Sequence, residues 1–71
     1  MTYNTFFASL SNNGKQIVNR FCNYCKRYNV SESDLRSDYL EYILSNAEKH
    51  NLISETESNT IFDYFTLADL A

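Results

Sequence analysis

Seventy-one residues run without a proline and with a single glycine, Gly14. Strands must be separated by turn residues, and a chain this poor in Gly and Pro cannot punctuate an all-β fold. Helix is what remains. The sequence predicts an all-α fold, a compact bundle of three to four short amphipathic helices at about 2–11, 15–29, 32–50 and 55–68. The length admits one domain, 1–71, near the lower limit at which an apolar core holds without staples. A content of 44% hydrophobic and 15% aromatic residues supplies that core and separates the chain from disordered ones.

At about 100° per residue the apolar positions fall on four stripes. In the first segment Tyr3, Phe6, Phe7 and Leu10 follow the i, i+3, i+4, i+7 spacing of a buried face. Asn12-Asn13-Gly14 is expected to end that helix, because Asn and Gly tolerate the left-handed conformation of a C-cap. A competing reading runs on through Gly14, since positions 3, 7, 10, 14, 17, 21, 24 and 28 alternate by four and three like a heptad seam. The broken form is favoured. In the second segment Ile17, Val18, Phe21, Tyr24, Cys25 and Tyr28 share one side, with Cys22 at its edge.

Ser31-Glu32-Ser33-Asp34 has the chemistry of a helix start: a hydroxyl for an orphan N–H, and acids at the positive end. The helix it opens has a wide apolar arc of Leu35, Tyr39, Leu40, Tyr42, Ile43, Leu44 and Ala47. Such an arc is expected to touch neighbours on two sides, or a partner. Asn51-Leu52-Ile53 makes the next turn, and Ser54-Glu55-Thr56-Glu57 is a full capping box. The last helix is expected to bury Ile61, Phe62, Phe65 and Ala68, with Leu67 and Leu70 off the stripe.

Charge is unevenly distributed along this frame. Residues 1–31 carry Lys15, Arg20, Lys26 and Arg27 and no acid, a charge of +4. The remainder carries all nine acids against Arg36 and Lys49, a charge of −7, which together leave the net −3. Folding into rods turns this asymmetry into separate basic and acidic surfaces. Asp34, Asp38, Glu41 and Glu48 form the outer stripe of the third helix and the expected docking face for a basic protein partner. Lys15, Gln16, Asn19, Arg20, Asn23, Lys26 and Arg27 form the outer face of the second, suited to nucleic acid or an acidic partner. Lys and Arg engage phosphates, and Arg, Asn and Gln can bond base edges. Against that second use stands an overall pI of about 4.8, where nucleic-acid domains are usually basic.

Catalytic chemistry is not visible. Cys22-Asn23-Tyr24-Cys25 spells C-x-x-C, but past the middle of a helix rather than at the N-terminus that would activate a thiolate. Zinc would need four ligands, and only His50 could join the pair, so metal or disulfide use would require a second chain. The two cysteines read as small apolar residues, one buried and one at the core boundary. His50, the single histidine, is placed at the end of the third helix, at the core margin. Carboxylate pairs for acid–base work need one desolvated member, and these acids lie opposite the apolar arc. Asn13-Gly14-Lys15-Gln16 is not a phosphate loop. No enzyme activity, metal or cofactor is expected.

The first seven residues lack the basic n-region and apolar run of an export signal. No stretch approaches the ~18–20 apolar residues that span a bilayer. Reduced thiols and a cytoplasmic location follow, with no membrane partner. The heavy use of Asn, Tyr, Phe, Ile and Ser matches AT-rich coding, as in phage and mobile elements. The functional expectation is a small acidic protein-binding module, a phage- or mobile-element-type inhibitor or regulator docking on a larger nucleic-acid-handling complex. Six tyrosines, a residue type enriched at interface hot spots, favour it. The alternative is a small nucleic-acid-binding regulator using the second helix. In either case a homodimer would add apolar burial that a chain this short lacks.

Overall fold

Serine hydroxyls start two of the helices, and two left-handed asparagines follow the ends of two. The computed structural model describes residues 2–29 and 33–70, with side chains over 2–29 and 35–66. The elements are α1 (Tyr3–Ala8), α2 (Asn12–Arg27), α3 (Ser33–Lys49) and α4 (Glu55–Leu70), an all-α bundle. Its Cα radius of gyration is 11.4 Å, matching the ~11 Å of a compact chain this long. Among the described residues no helix is long and apolar enough to cross a membrane.

The break between α1 and α2 is real, but it lies earlier than Asn12-Asn13-Gly14. Ser11 is the N-cap of α2, and its hydroxyl accepts from the Gly14 N–H at 3.1 Å. Asn12, Asn13 and Gly14 therefore form the first turn of α2 instead of capping α1, and Gly14 has no positive φ. The left-handed positions are Asn29 (φ 53°) and Asn51 (φ 59°), where Asn tolerates what bulkier residues resist.

After Lys49 the chain turns by a paired motif. The Leu52 N–H donates to Ala47 O at 2.9 Å and the Asn51 N–H to Glu48 O at 3.0 Å. These are the two bonds of a Schellman stop, and they satisfy carbonyls the helix leaves open. Ser54 then caps α4, accepting from the Glu57 N–H at 3.1 Å. The start expected at Ser31 lies outside the described residues, as do the side chains of Leu67, Ala68 and Leu70.

The core is built from Phe6, Leu10, Val18, Phe21, Leu40, Ile43, Leu44, Ala47, Ile53 and Ile61. α3 and α4 make the most extensive pairing, and α2 packs on both. α1 has six residues, too short to be stable alone. It is anchored through Phe6, fully buried and stacked on Tyr64 with ring centroids 4.0 Å apart. Among the described side chains of α3 only the narrow stripe Leu40, Ile43, Leu44 and Ala47 is buried; Leu35 (56% exposed) and Tyr42 (68%) face solvent. The wide apolar arc is thus half used, because the neighbouring helices cover one side of it. Tyr28, expected on the buried side of α2, is also exposed.

Nine of the eleven aromatic rings, all but Tyr42 and Phe62, form one connected series. Tyr3 contacts Phe6, Phe7 and Tyr64; Phe6 and Tyr64 contact Phe65; Phe65 meets Phe21 edge-on at 4.8 Å. Phe21 stacks with Tyr39, Tyr39 with Tyr24 at 3.8 Å, and Tyr24 tilts onto Tyr28 at 5.0 Å. Aromatic pairs contribute ~0.5–1.5 kcal/mol each beyond area burial. The series therefore ties α1, α2, α3 and α4 together, and it emerges at the surface beside the basic residues of α2.

Candidate functional site

Two grooves sit on the surfaces that the charge pattern singles out. On α3, Asp38, Glu41, Tyr42, Ser45, Asn46 and Lys49 recur at three- and four-residue spacing and line an open groove of about 430 Å³. Asp38 and Glu41 are exposed. Between them and the polar Ser45 and Asn46 stands Tyr42, an aromatic ring with no aromatic neighbour among the described residues. Leu35 lies one turn before Asp38 on the same helix and is exposed as well.

Of the four acids assigned to this face, one is turned away from it and one has a side chain that is not described. The Asp34 side chain lies outside the described residues. Glu48 is turned toward α4: its Oε2 accepts from the Ser58 hydroxyl at 3.0 Å, and Ser58 is buried at 4% exposure. The Schellman turn brings the first turns of α4 back against the end of α3, so a position on the edge of the outer stripe becomes an interhelical one. Glu48 is a structural acceptor between α3 and α4 instead of a member of the exposed outer stripe.

On α2, Gln16, Asn19, Arg20, Asn23, Lys26 and Arg27 are exposed, as expected. Lys15 is half-buried instead, with Nζ 5.9 Å from the centre of the Phe7 ring. Arg20, Asn23, Tyr24, Arg27, Tyr28 and Tyr39 line a groove of about 350 Å³. Arg20 also borders a smaller one of about 180 Å³ with Asn13, Gln16, Ile17 and Leu52. There the Asn13 amide donates to Leu52 O at 2.9 Å and locks the start of α2 to the α3–α4 turn. The basic face is therefore a polar stripe with tyrosines along its margin, a feature the helical pattern concealed by assigning those rings to the core.

No disulfide joins the cysteines, and both are half-buried. Burial pushes the Cys22 thiol above its ordinary value, and a hydrogen-bonding interaction with Tyr3 partly opposes the shift. Tyr3 is itself raised, first by burial and then by Cys22. A thiol held protonated is a poor nucleophile and a poor ligand. His50 is exposed just beyond α3, not at the core margin. Among the described residues no three His, Cys, Asp or Glu side chains converge as a metal site.

A second feature escapes local pattern. The Glu57 carboxylate accepts from the Ser11 N–H at 2.9 Å and from the Ser11 hydroxyl. In a capping box the third helical residue supplies that carboxylate to the N-cap N–H. Here that residue is Gly14, and the acid comes from α4, 46 residues away along the chain. A Cβ on Gly14 would stand 2.5 Å from Glu57 Oε1 and 3.0 Å from its Cδ. Gly14 thus leaves room for a cap delivered by another helix. The box expected within Ser54–Glu57 is only half formed, because its acid is used on α2. No protein-family model, curated protein or solved structure matches the chain.

Proposed function

We propose that this protein acts by binding rather than by catalysis, docking the outer face of α3 on a basic surface of a larger, nucleic-acid-handling protein complex and so inhibiting or regulating it. One observation carries the reading: Tyr42, 68% exposed, stands in a groove flanked by Asp38 and Glu41. An amphipathic ring presented among carboxylates is the chemistry of an interface anchor. Tyr is enriched among residues that dominate binding energy, while the surrounding charges select a partner of opposite sign and speed its approach. The exposed Leu35 extends the apolar part of the same helix face. A groove this shallow suits a protein surface better than a small molecule, which is normally mostly enclosed by its pocket.

The test is affinity capture from the source cell with nuclease present, comparing the wild type with Asp38→Lys/Glu41→Lys and Tyr42→Ala. One defined complex, retained through nuclease treatment and lost with both variants, supports the reading. Equal capture by all three proteins rules this face out, and recovery that disappears with nuclease transfers the binding to nucleic acid.

A further inference from the structure

We infer that the tyrosine-lined groove of α2 binds single-stranded nucleic acid, by stacking bases on Tyr28 and pairing phosphates with Arg20 and Arg27 in the groove and with the exposed Lys26 beside it on α2. This rests on a different surface from the α3 face and does not depend on it: α3 contributes Tyr39 to this groove, and the two share no lining residue.

Single-strand binders combine a positive track for the backbone with aromatic faces on which bases stack. Both parts are present and contiguous. Arg20, Asn23, Tyr24, Arg27 and Tyr28 recur at i, i+3, i+4, i+7 and i+8, which places them on one side of α2. Tyr39 from α3 closes the groove. Tyr24 is held by its stack on Tyr39, 3.8 Å between centroids, and Tyr28 is tilted 49° against Tyr24. Tyr28 is therefore positioned by the core series yet 61% exposed, a ring with free area at the end of a rigid stack.

Arg27 Cζ lies 5.7 Å from the Tyr28 centroid, so a base against that ring brings its phosphate within reach of a guanidinium. Among the described residues the groove lining contains no carboxylate, so the net charge of −3 is not felt equally here. The stripe continues through Arg20 to Gln16 and Asn13, giving about 21 Å of polar track at 1.5 Å per residue. A duplex does not fit the same description. Its base faces are already stacked and leave the exposed Tyr28 ring without a base to stack on.

The experiment is fluorescence anisotropy with a labelled oligothymidylate and a labelled hairpin duplex at about 50 mM salt, where the phosphate contribution is large. The oligothymidylate is expected to bind more tightly than the duplex. Three phosphate contacts predict a log–log salt slope of about −2 for a single strand. Tyr28→Ala should weaken binding about tenfold, Tyr28→Phe should retain it, and Arg20→Glu/Arg27→Glu should abolish it. All three positions are exposed and line the groove, and unchanged helical circular dichroism identifies a folded variant.

No anisotropy change overturns the inference. So does equal binding of duplex and single strand, or a Tyr28→Ala protein as tight as the wild type, since either leaves only backbone attraction. Polyglutamate displacing the oligonucleotide at equal charge would assign the groove to an acidic protein instead, and also overturns it.

Discussion

Replacing a glycine inside a helix with alanine normally stabilises it, and at Gly14 the structure predicts that this gain disappears. Alanine is favoured over glycine by ~1 kcal/mol in a helix interior. At this site the new Cβ would fall 2.5 Å from Glu57 Oε1, with Leu10 Cβ 3.3 Å away. The carboxylate sits at the end of a flexible side chain, so it swings aside rather than forcing the helices apart. In doing so it leaves the Ser11 N–H and hydroxyl.

Hydrogen bonds to a charged group contribute ~1.5–3 kcal/mol when well shielded. This pair is exposed, so about 1–2 kcal/mol is the reasonable loss for both together. The net for Gly14→Ala is then about 0–1 kcal/mol destabilising. In a Glu57→Ala background the obstacle is gone, and the same change should stabilise by about 0.5–1 kcal/mol.

The assay is a double-mutant cycle by urea denaturation monitored by helical circular dichroism, with equal m values as the check on two-state behaviour. Coupling of about 1–2 kcal/mol is expected, and 1 kcal/mol in a domain this small moves Tm by ~4–8 °C. Gly14→Ala stabilising both backgrounds equally would refute the idea that Glu57 caps α2 from a distance.

Glu48→Ala leaves the buried Ser58 hydroxyl without its partner and should cost about 1–2 kcal/mol in urea unfolding, whereas Glu41→Ala on the exposed face should stay within about 0.5 kcal/mol. Phe6→Ala removes the fully buried anchor of α1 and should cost ~3–5 kcal/mol. That approaches the whole stability of a domain this size, so the variant should be largely unfolded by near-ultraviolet circular dichroism. Asn51→Gly should hold or raise Tm, while Asn51→Val should lower it by several degrees, since φ is 59° there and β-branched residues resist that region.

Because the folded state raises the Cys22 pKa, its contribution is complete below the ordinary thiol value of ~8.5 and is lost as pH climbs through the raised one. The urea midpoint should therefore fall with alkalinity in that range, and fall less in Cys22→Ala.

Helix number, type and approximate span were legible in the sequence because periodicity and serine caps are local signals. Asn51 and Ser54 show this best: both were read as turn and cap, and both act so. Gly14 was misplaced because Asn-Gly is a stop signal only in isolation. Its real constraint is a carboxylate from α4, which no window around residue 14 contains. Tyr28 falls on the apolar side of α2, and Leu35 and Tyr42 on an arc expected to face neighbours or a partner, because helical angles report sides, not depth. Which side is covered depends on where neighbouring helices stop. The same limit affected the site. Asp38, Glu41, Arg20 and Arg27 read as surface charges and are exposed, but Tyr28 falls on the apolar side of α2, and Tyr42 on an arc that the pattern alone could not divide between core and partner. Glu48 marks the opposite error, an acid read as solvated that accepts a buried hydroxyl.

The most direct measurement is the dissociation constant of the captured partner for wild type and Asp38→Lys/Glu41→Lys, at matched ionic strength. Docking through the outer face of α3 predicts at least about a thirtyfold loss, roughly 2 kcal/mol, with the helical spectrum unchanged. Constants within about twofold of each other, less than 0.5 kcal/mol apart, would contradict it.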